Sequence, residues 1–373
     1  MNAYIFLVFL YSVSVNALFG PQVNLTLDDG NIASVYANDN WGLAVTYNSS
    51  GNIGVNIWYF DASTFEKTSS IPIDKYQLFV TYGMTSIVPI DDKRALIFFG
   101  KAELNPPNYT YIYEVTVSTD SFEITRKYIL PTPPEVITTL GATQTLDSSG
   151  NLYFTFNNSF WQFNVDSFDA QVWQTPIPHW EWATWPQQWS VLNDTTAIGT
   201  YSIFVTLGVT IVYVCQFEDG KIRDKAQVLP EREGVPVVVY VIPGTTMGVV
   251  AQYNGMSPSG GNAYQQIQLW DFTKLNESQS LSSPTYLNSV LDVVEIVQAT
   301  SKYIFVSGTY SWDIEGSNEY QLFQFKYDST DISKGLNLTE TRFNIISPFY
   351  ATEQYVYFVD YTSESQITRV EYS

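Results

Sequence analysis

GLAVTYNSSGNIGVNIWYFDAST, residues 42–64, reads as an apolar strand, a Gly-containing loop, an aromatic-rich strand and a polar turn. The apolar run Gly42–Tyr47 is too short for a helix of ordinary length and is bounded by turn formers. VNIWYFD, residues 55–61, is dense in β-branched and aromatic side chains, which suit a pleated surface. The turn Asp61-Ala62-Ser63-Thr64 ends the phrase and a more polar strand follows it.

The phrase recurs along the whole chain. Apolar strands are expected at Gly42–Tyr47, Arg94–Gly100, Asn151–Phe156, Ile198–Leu207, Met247–Tyr253, Lys302–Gly308 and Tyr355–Tyr361. Their spacing of roughly fifty residues falls in the range of propeller-type repeats. Each is followed by an aromatic-rich strand: VNIWYFD, YIYEVTV, FWQFNVD, IVYVCQF, YQQIQLWDF, YQLFQFKYD and ITRVEYS. Leu287–Ala299 has apolar spacing that a helix would also allow, but its Val and Ile content makes it a strand. An all-β chain of seven four-stranded units is expected, arranged radially as a β-propeller, because radial repetition protects the strand edges. The last unit has room for three strands only, at Asn344–Thr352, Tyr355–Thr362 and Ser365–Ser373. QVNLTLDD, residues 22–29, supplies the missing outer strand, so the N-terminal strand is expected to pair with the C-terminal blade. The structural alternative, two packed β-sandwiches, needs a linker, and the even strand spacing contains none.

The chain of 373 residues carries 17 Lys and Arg against 37 Asp and Glu, a net charge of −20. Such a surface repels phosphate backbones and anionic lipid, which excludes nucleic acid as the expected partner. Residues 1–17, MNAYIFLVFLYSVSVNA, form an uncharged segment with an apolar run from Tyr4 to Val15. Val15-Asn16-Ala17 places small or apolar residues where signal peptidase needs them. A signal peptide over 1–17 and a secreted propeller over 18–373 are therefore expected, with no transmembrane segment. Seven Asn-x-Ser/Thr sequons fit that compartment: Asn24, Asn48, Asn108, Asn157, Asn193, Asn276 and Asn337. Cys215 is the single cysteine, so no intrachain disulfide forms and stability must come from the core.

WD dipeptides occur at Trp270-Asp271 and Trp312-Asp313 without an accompanying Gly-His element, kelch-type double glycines do not recur, and no sialidase-type Asp-box is present. The resemblance is to the β-propeller as an architecture, and that architecture hosts many functions.

In a propeller, the loops joining the second and third strands share a face with the links between blades. Four long segments map there: Lys101–Asn108, Pro176–Gln188, Asn254–Asn262 and Tyr310–Asn318. PIPHWEWATWPQQW, residues 176–189, holds four of the ten tryptophans and the only histidine, His179. Its prolines Pro176, Pro178 and Pro186 restrict the backbone, which lowers the entropy lost on binding. Trp180 and Trp182 fall on one side of an extended chain around Glu181, and Trp185 follows. Such rings pack against the C–H face of a sugar while Glu181 bonds its hydroxyls. Trp312, Asp313 and Glu315, in the loop of the sixth unit, are expected to contribute from across the channel. The competing reading is that these tryptophans are packing between blades.

The expected function is that of a non-enzymatic binding module for carbohydrate or extracellular protein. One alternative is a carbohydrate-active or lactone-type hydrolase using carboxylates at the channel mouth; another is a structural extracellular protein. A triad would have to use His179, and nothing around it marks a nucleophile. Of the candidate acid/base pairs Asp28-Asp29, Asp91-Asp92 and Asp313/Glu315, the first two read as turn residues. No cofactor is assigned: calcium takes such oxygen ligands, but no twelve-residue EF-hand-type loop is present, and one histidine and one cysteine make no zinc site.

Overall fold

In the computed structural model the chain is a succession of antiparallel sheets. The structure describes residues 21–373 except 29, 48–53, 74–84, 101–109, 119–120, 131–145, 157–158, 174–188, 194, 204–208, 219–220, 229–234, 255–263, 274–284, 287–292, 310–319, 329, 361–362 and 373. Among these residues the regular structure is strand, apart from a short 3-10 turn at Ile332–Lys334.

The first sheet holds β2 (Asn31–Ala37), β3 (Trp41–Tyr47), β4 (Val55–Asp61) and β5 (Glu66–Ile73), hydrogen-bonded in that order. The second repeats it with β6 (Thr85–Pro89), β7 (Arg94–Gly100), β8 (Thr110–Val117) and β9 (Phe122–Leu130). The third contains β10 (Asn151–Phe156), β11 (Ser159–Asn164) and β12 (Asp169–Trp173). The fourth runs β13 (Trp189–Asn193), β14 (Thr196–Ile203), β15 (Val209–Glu218) and β16 (Lys221–Val228). The fifth runs β17 (Val235–Val241), β18 (Met247–Asn254), β19 (Tyr264–Asp271) and β20 (Thr285–Tyr286).

The sixth sheet has seven strands, in the order β1-β26-β25-β24-β23-β22-β21. They are β1 (Val23–Thr26), β21 (Val293–Ala299), β22 (Tyr303–Thr309), β23 (Tyr320–Lys326), β24 (Asn337–Ala351), β25 (Tyr355–Asp360) and β26 (Gln366–Glu371). It is two four-stranded units sharing one long strand. The first part of β24 pairs with β23, and from Ile345 onward it pairs with β25. The sequence reading placed a separate strand at Asn344–Thr352. Here the outer strand of one unit continues into the inner strand of the next, through a register shift between Ile346 and Phe349 that accommodates Pro348. Val293–Ala299 is a strand, as its Val and Ile content requires. The N-terminal strand pairs antiparallel with the C-terminal one, Val23 opposite Arg369 and Thr26 opposite Gln366.

Burial falls off across the first sheet. There, β3 is buried along almost its whole length and β5 is exposed over most of it. A strand covered on both faces needs a continuous apolar run, which is why GLAVTY lacks alternation. The sheets face one another, and each apolar cluster comes from two consecutive units. One joins the first and second sheets through Trp41, Ile57, Tyr59, Ile97, Phe99 and Phe122. Others join the second to the third, the fourth to the fifth, the fifth to the β21–β23 unit, and that unit to the β25–β26 unit. A further cluster carries Leu25, Leu27, Tyr357 and Val359 against Ile32, Trp58 and Phe60, so the last unit packs on the first. Packing is tight enough to demand glycine locally: a Cβ on Gly42 would lie 2.0 Å from the Phe60 ring. Sheets stacked face to face, buried inside and exposed outside, are the β-propeller arrangement.

Candidate functional site

The antiparallel order gives each unit two ends. At one, the first strand turns into the second; at the other, the second leads to the third and the fourth leaves for the next unit.

The first end is built from a repeated cap. Asn38 accepts from the backbone N–H of Asn40 and Trp41, Asp91 from Lys93 and Arg94, and Asp147 from Ser149 and Asn151. Asn193 does so with Thr195, Thr300 with Tyr303, and Thr352 with Gln354 and Tyr355. A short side-chain oxygen satisfying the turn's N–H groups fixes a tight hairpin. Asp91 is thus a turn residue, and the carbonyl of Asp92 accepts from the Trp41 indole of the preceding unit. The turns between third and fourth strands repeat the device: Asp61 binds Ser63 and Thr64, Asn164 binds Asp166 and Ser167, and Asp271 binds Thr273. These bonds hold the Asp61 carboxyl below its usual pKa, the Ser63 hydroxyl contributing most. Of the Trp270-Asp271 pair, Trp270 is fully buried between sheets and Asp271 caps this turn.

Two arginines bind consecutive units at this end. Arg126 on β9 donates to the carbonyls of Val165 (2.7 Å) and Asp166 (2.9 Å) and stacks on Phe168. Arg369 on β26 donates to the carbonyls of Ala62 and Ser63 and stacks on Phe65. Phe65 and Phe168 occupy the same turn position, with φ of 58° and 56°. A left-handed phenylalanine is costly, and the guanidinium stacked on each ring offsets that cost. Arg126 also pairs with Glu114, which is only 3% exposed and has Arg94 at 3.5 Å on its other side.

The innermost strands bring tyrosines together near the axis. Tyr36 on β2 and Tyr350 on β24 meet edge to face at 4.6 Å. Tyr240 on β17 lies close enough to Tyr350, two units away, to oppose its ionisation. Desolvation pushes Tyr36 and Tyr240 up to about 12 and Tyr350 well above 10. The Gln298 carboxamide bridges Phe349 O and Ala351 N, locking β21 to β24. Buried phenols and a satisfied amide make this part of the axis a packed region.

The buried carboxylates here are each engaged. Glu114 holds the arginines, Asp147 accepts from the Tyr153 hydroxyl at 2.9 Å and from Asn151, and Asp271 caps its turn. Among the described residues no group of three His, Cys, Asp or Glu is arranged to hold a metal ion, and no helix is long and apolar enough to cross a membrane.

The sequence-expected ligand residues Trp180, Glu181, Trp182, Trp185, Trp312 and Asp313 lie outside the described residues, as do His179 and Glu315. What the strands locate is where their connections start and finish. Residues 174–188 run from the end of β12 to the start of β13, and residues 310–319 from the end of β22 to the start of β23. Both therefore join strand ends opposite the capped turns. Of the sequons, Asn24, Asn193 and Asn337 are described and exposed, while Asn48, Asn108, Asn157 and Asn276 lie outside the described residues. So do the signal-peptide residues 1–17. Cys215 is in the middle of β15. Of the turn caps, Asp61 and Asp91 were read as turn residues from the sequence; the other caps, the two arginines and Glu114 were not singled out. The caps were the findable ones, since Asx or Thr recurs about every fifty residues, just ahead of each apolar strand.

No protein-family model and no curated protein sequence matches the chain. Solved structures do. The β-propeller domain of the Trilobed protease from Pyrococcus furiosus, described as having an open velcro topology, aligns over 90% of this chain and 93% of its own, with TM-score 0.50 and 13% identity. A chain of the mitotic checkpoint complex aligns over 96% of each, with TM-score 0.50 and 10% identity. At such identities the likeness is one of fold. The protein is an all-β chain of the β-propeller class.

Proposed function

We propose that this chain is a secreted, N-glycosylated propeller of seven blades, completed by β1 in the last blade, that acts as a non-enzymatic binding module. Its ligand is a carbohydrate or an extracellular protein, met at the end opposite the capped turns. Trp180, Trp182, Trp185 and Trp312 supply the flat apolar faces, and Glu181 and Asp313 the polar contacts. The observation that carries this reading is chain direction. Both tryptophan-bearing connections start and finish at strand ends of one kind, while the other end is occupied by self-satisfied turns and buried tyrosines. A surface whose hydrogen bonds are already internal offers a ligand little.

The test is a glycan array probed with the purified secreted protein, beside a Trp182→Ala/Trp185→Ala double variant of unchanged circular dichroism. Binding that drops at least tenfold in the variant is expected. Undiminished binding by the variant, or a blank array together with no captured extracellular protein, would overturn the proposal.

A further inference from the structure

The outermost strands differ in how their free edges are protected. An edge strand presents unpaired N–H and C=O groups to any passing chain, and charge is the common defence. β5 carries Glu66 and Lys67, β9 carries Glu123, Arg126 and Lys127, β12 carries Asp169, and β16 carries Lys221, Arg223, Asp224 and Lys225. β1, VNLT, carries no charge, a feature it shares with the two-residue β20. β1 is nonetheless the terminal strand of the seven-stranded sheet.

Three large hydrophobic residues are exposed among the described residues: Val23 (39%), Leu338 (40%) and Ile129 (48%). All three sit on outer strands, β1, β24 and β9. Ile129 follows the charged pair Arg126-Lys127. The other two adjoin sequon asparagines. Val23 precedes Asn24-Leu25-Thr26, and Leu338 is the middle residue of Asn337-Leu338-Thr339. The same tripeptide thus lies on the outer strands of two neighbouring units. Both asparagines are exposed. The Asn24 Oδ1 accepts from the Thr368 hydroxyl at 3.0 Å, which leaves its Nδ2, the atom that would carry a sugar, without a partner among the described residues.

We infer that Asn24 and Asn337 carry N-linked glycans that cap these two strand edges and keep the protein from associating edge to edge. The inference rests on the secretory reading above. Transfer forms a bond from Asn Nδ2 to the anomeric carbon of a lipid-linked glycosyl pyrophosphate. That carbon's bond to the pyrophosphate oxygen breaks, and one amide proton is given up as the pyrophosphate leaves. The fold keeps Asn24 open to this chemistry. Its partner Thr368 lies 344 residues later, so β1 stays unpaired until the last strand has been made. A hydrophilic glycan then does on the uncharged β1 what lysine and glutamate do on β5 and β9, and on the outer part of β24 it adds to Glu340 and Arg342 beside the exposed Leu338.

The full chain is expressed through a eukaryotic secretory pathway and its sequons are read by peptide mass spectrometry. The folded protein is then trimmed with an endoglycosidase and its mass followed by light scattering over a concentration series. An Asn24→Gln/Asn337→Gln variant is measured alongside, with Thr195→Ala, which removes the Asn193 sequon and keeps the Asn193 cap on the Thr195 N–H, as the control at the capped-turn end. Occupancy of Asn24 and Asn337 in most molecules is expected. Trimmed protein and the double variant should associate at concentrations at least fivefold lower than the intact glycoprotein or Thr195→Ala. Secretion with other sequons occupied but Asn24 and Asn337 bare overturns this inference alone, as does a trimmed protein that stays monomeric throughout. Retention in the cell with every sequon bare overturns the secretory reading and this inference with it.

Discussion

The two ends of the strands are made by opposite rules. At one end, turns such as Asn38-Asp39-Asn40 and Thr300-Ser301-Lys302 are short, and their polar groups are consumed internally. Among the described residues, side chains there also link one unit to the next: Arg126 to Val165 and Asp166, Arg369 to Ala62 and Ser63, and Ser301 to Glu353. At the other end, residues 101–109, 174–188, 255–263 and 310–319 join the strands, and they hold four of the ten tryptophans, Trp180, Trp182, Trp185 and Trp312. The difference teaches how a repeat fold separates tasks. Stability is invested where connections are short and capped, which frees the long connections to vary in sequence.

The comparison breaks if the joined chain ends do not matter. Deleting Gln22–Asp29 removes β1 and with it the buried Leu25 and Leu27, each worth about 2–5 kcal/mol even as an alanine substitution. A single cooperative thermal transition lowered by more than about 10 °C is expected. An unchanged melt would remove β1 from the account. Next in size is Arg126→Met, which strips Glu114 of its closest partner and frees the turn holding Phe168. A loss of about 3 kcal/mol is expected in chemical denaturation. A loss below about 0.5 kcal/mol would make the latch ornamental.

Alkaline titration sharpens the picture of the packed axis and of the clusters between sheets. Tyr36, Tyr240, Tyr327 and Tyr357 are pushed from 10 to about 12, chiefly by desolvation. A raised folded-state pKa means the folded chain holds these protons more tightly. Their contribution is complete below pH 10, the unfolded value, and is lost as pH rises through about 12. Absorbance of phenolate and circular dichroism should therefore change together in that window. Ionisation of these tyrosines near pH 10 with the native spectrum intact would contradict the packing. The smallest effect is expected at the other end: Trp182→Ala/Trp185→Ala should shift unfolding free energy by under about 0.5 kcal/mol. A large loss would turn those rings into packing.

The second strand of each unit was legible because it is buried on both faces: RALIFFG and NLYFTF occupy the expected residues exactly as bounded, at Arg94–Gly100 and Asn151–Phe156. The pairing of QVNLTLDD with the last unit was legible from a missing strand, a counting argument that needs no contacts. The continuity of β24 was hidden, since Ser347-Pro348 looks like a break and only the register shift shows how the strand absorbs it. Glu114 was hidden too. In YIYEVTV it looks like an ordinary solvent-facing position, and only the register that sets it opposite Arg126 reveals a buried pair. Chain direction alone located the connections that hold the candidate ligand residues.

The most direct test of that location is hydroxyl-radical footprinting of the native protein, read tryptophan by tryptophan by mass spectrometry. Trp41, Trp58 and Trp270 are buried and serve as internal references. Oxidation of Trp180, Trp182, Trp185 and Trp312 at least tenfold faster than Trp270 is the expected result. Rates as low as that of Trp270 would make them a plug between sheets and contradict a binding surface at this end.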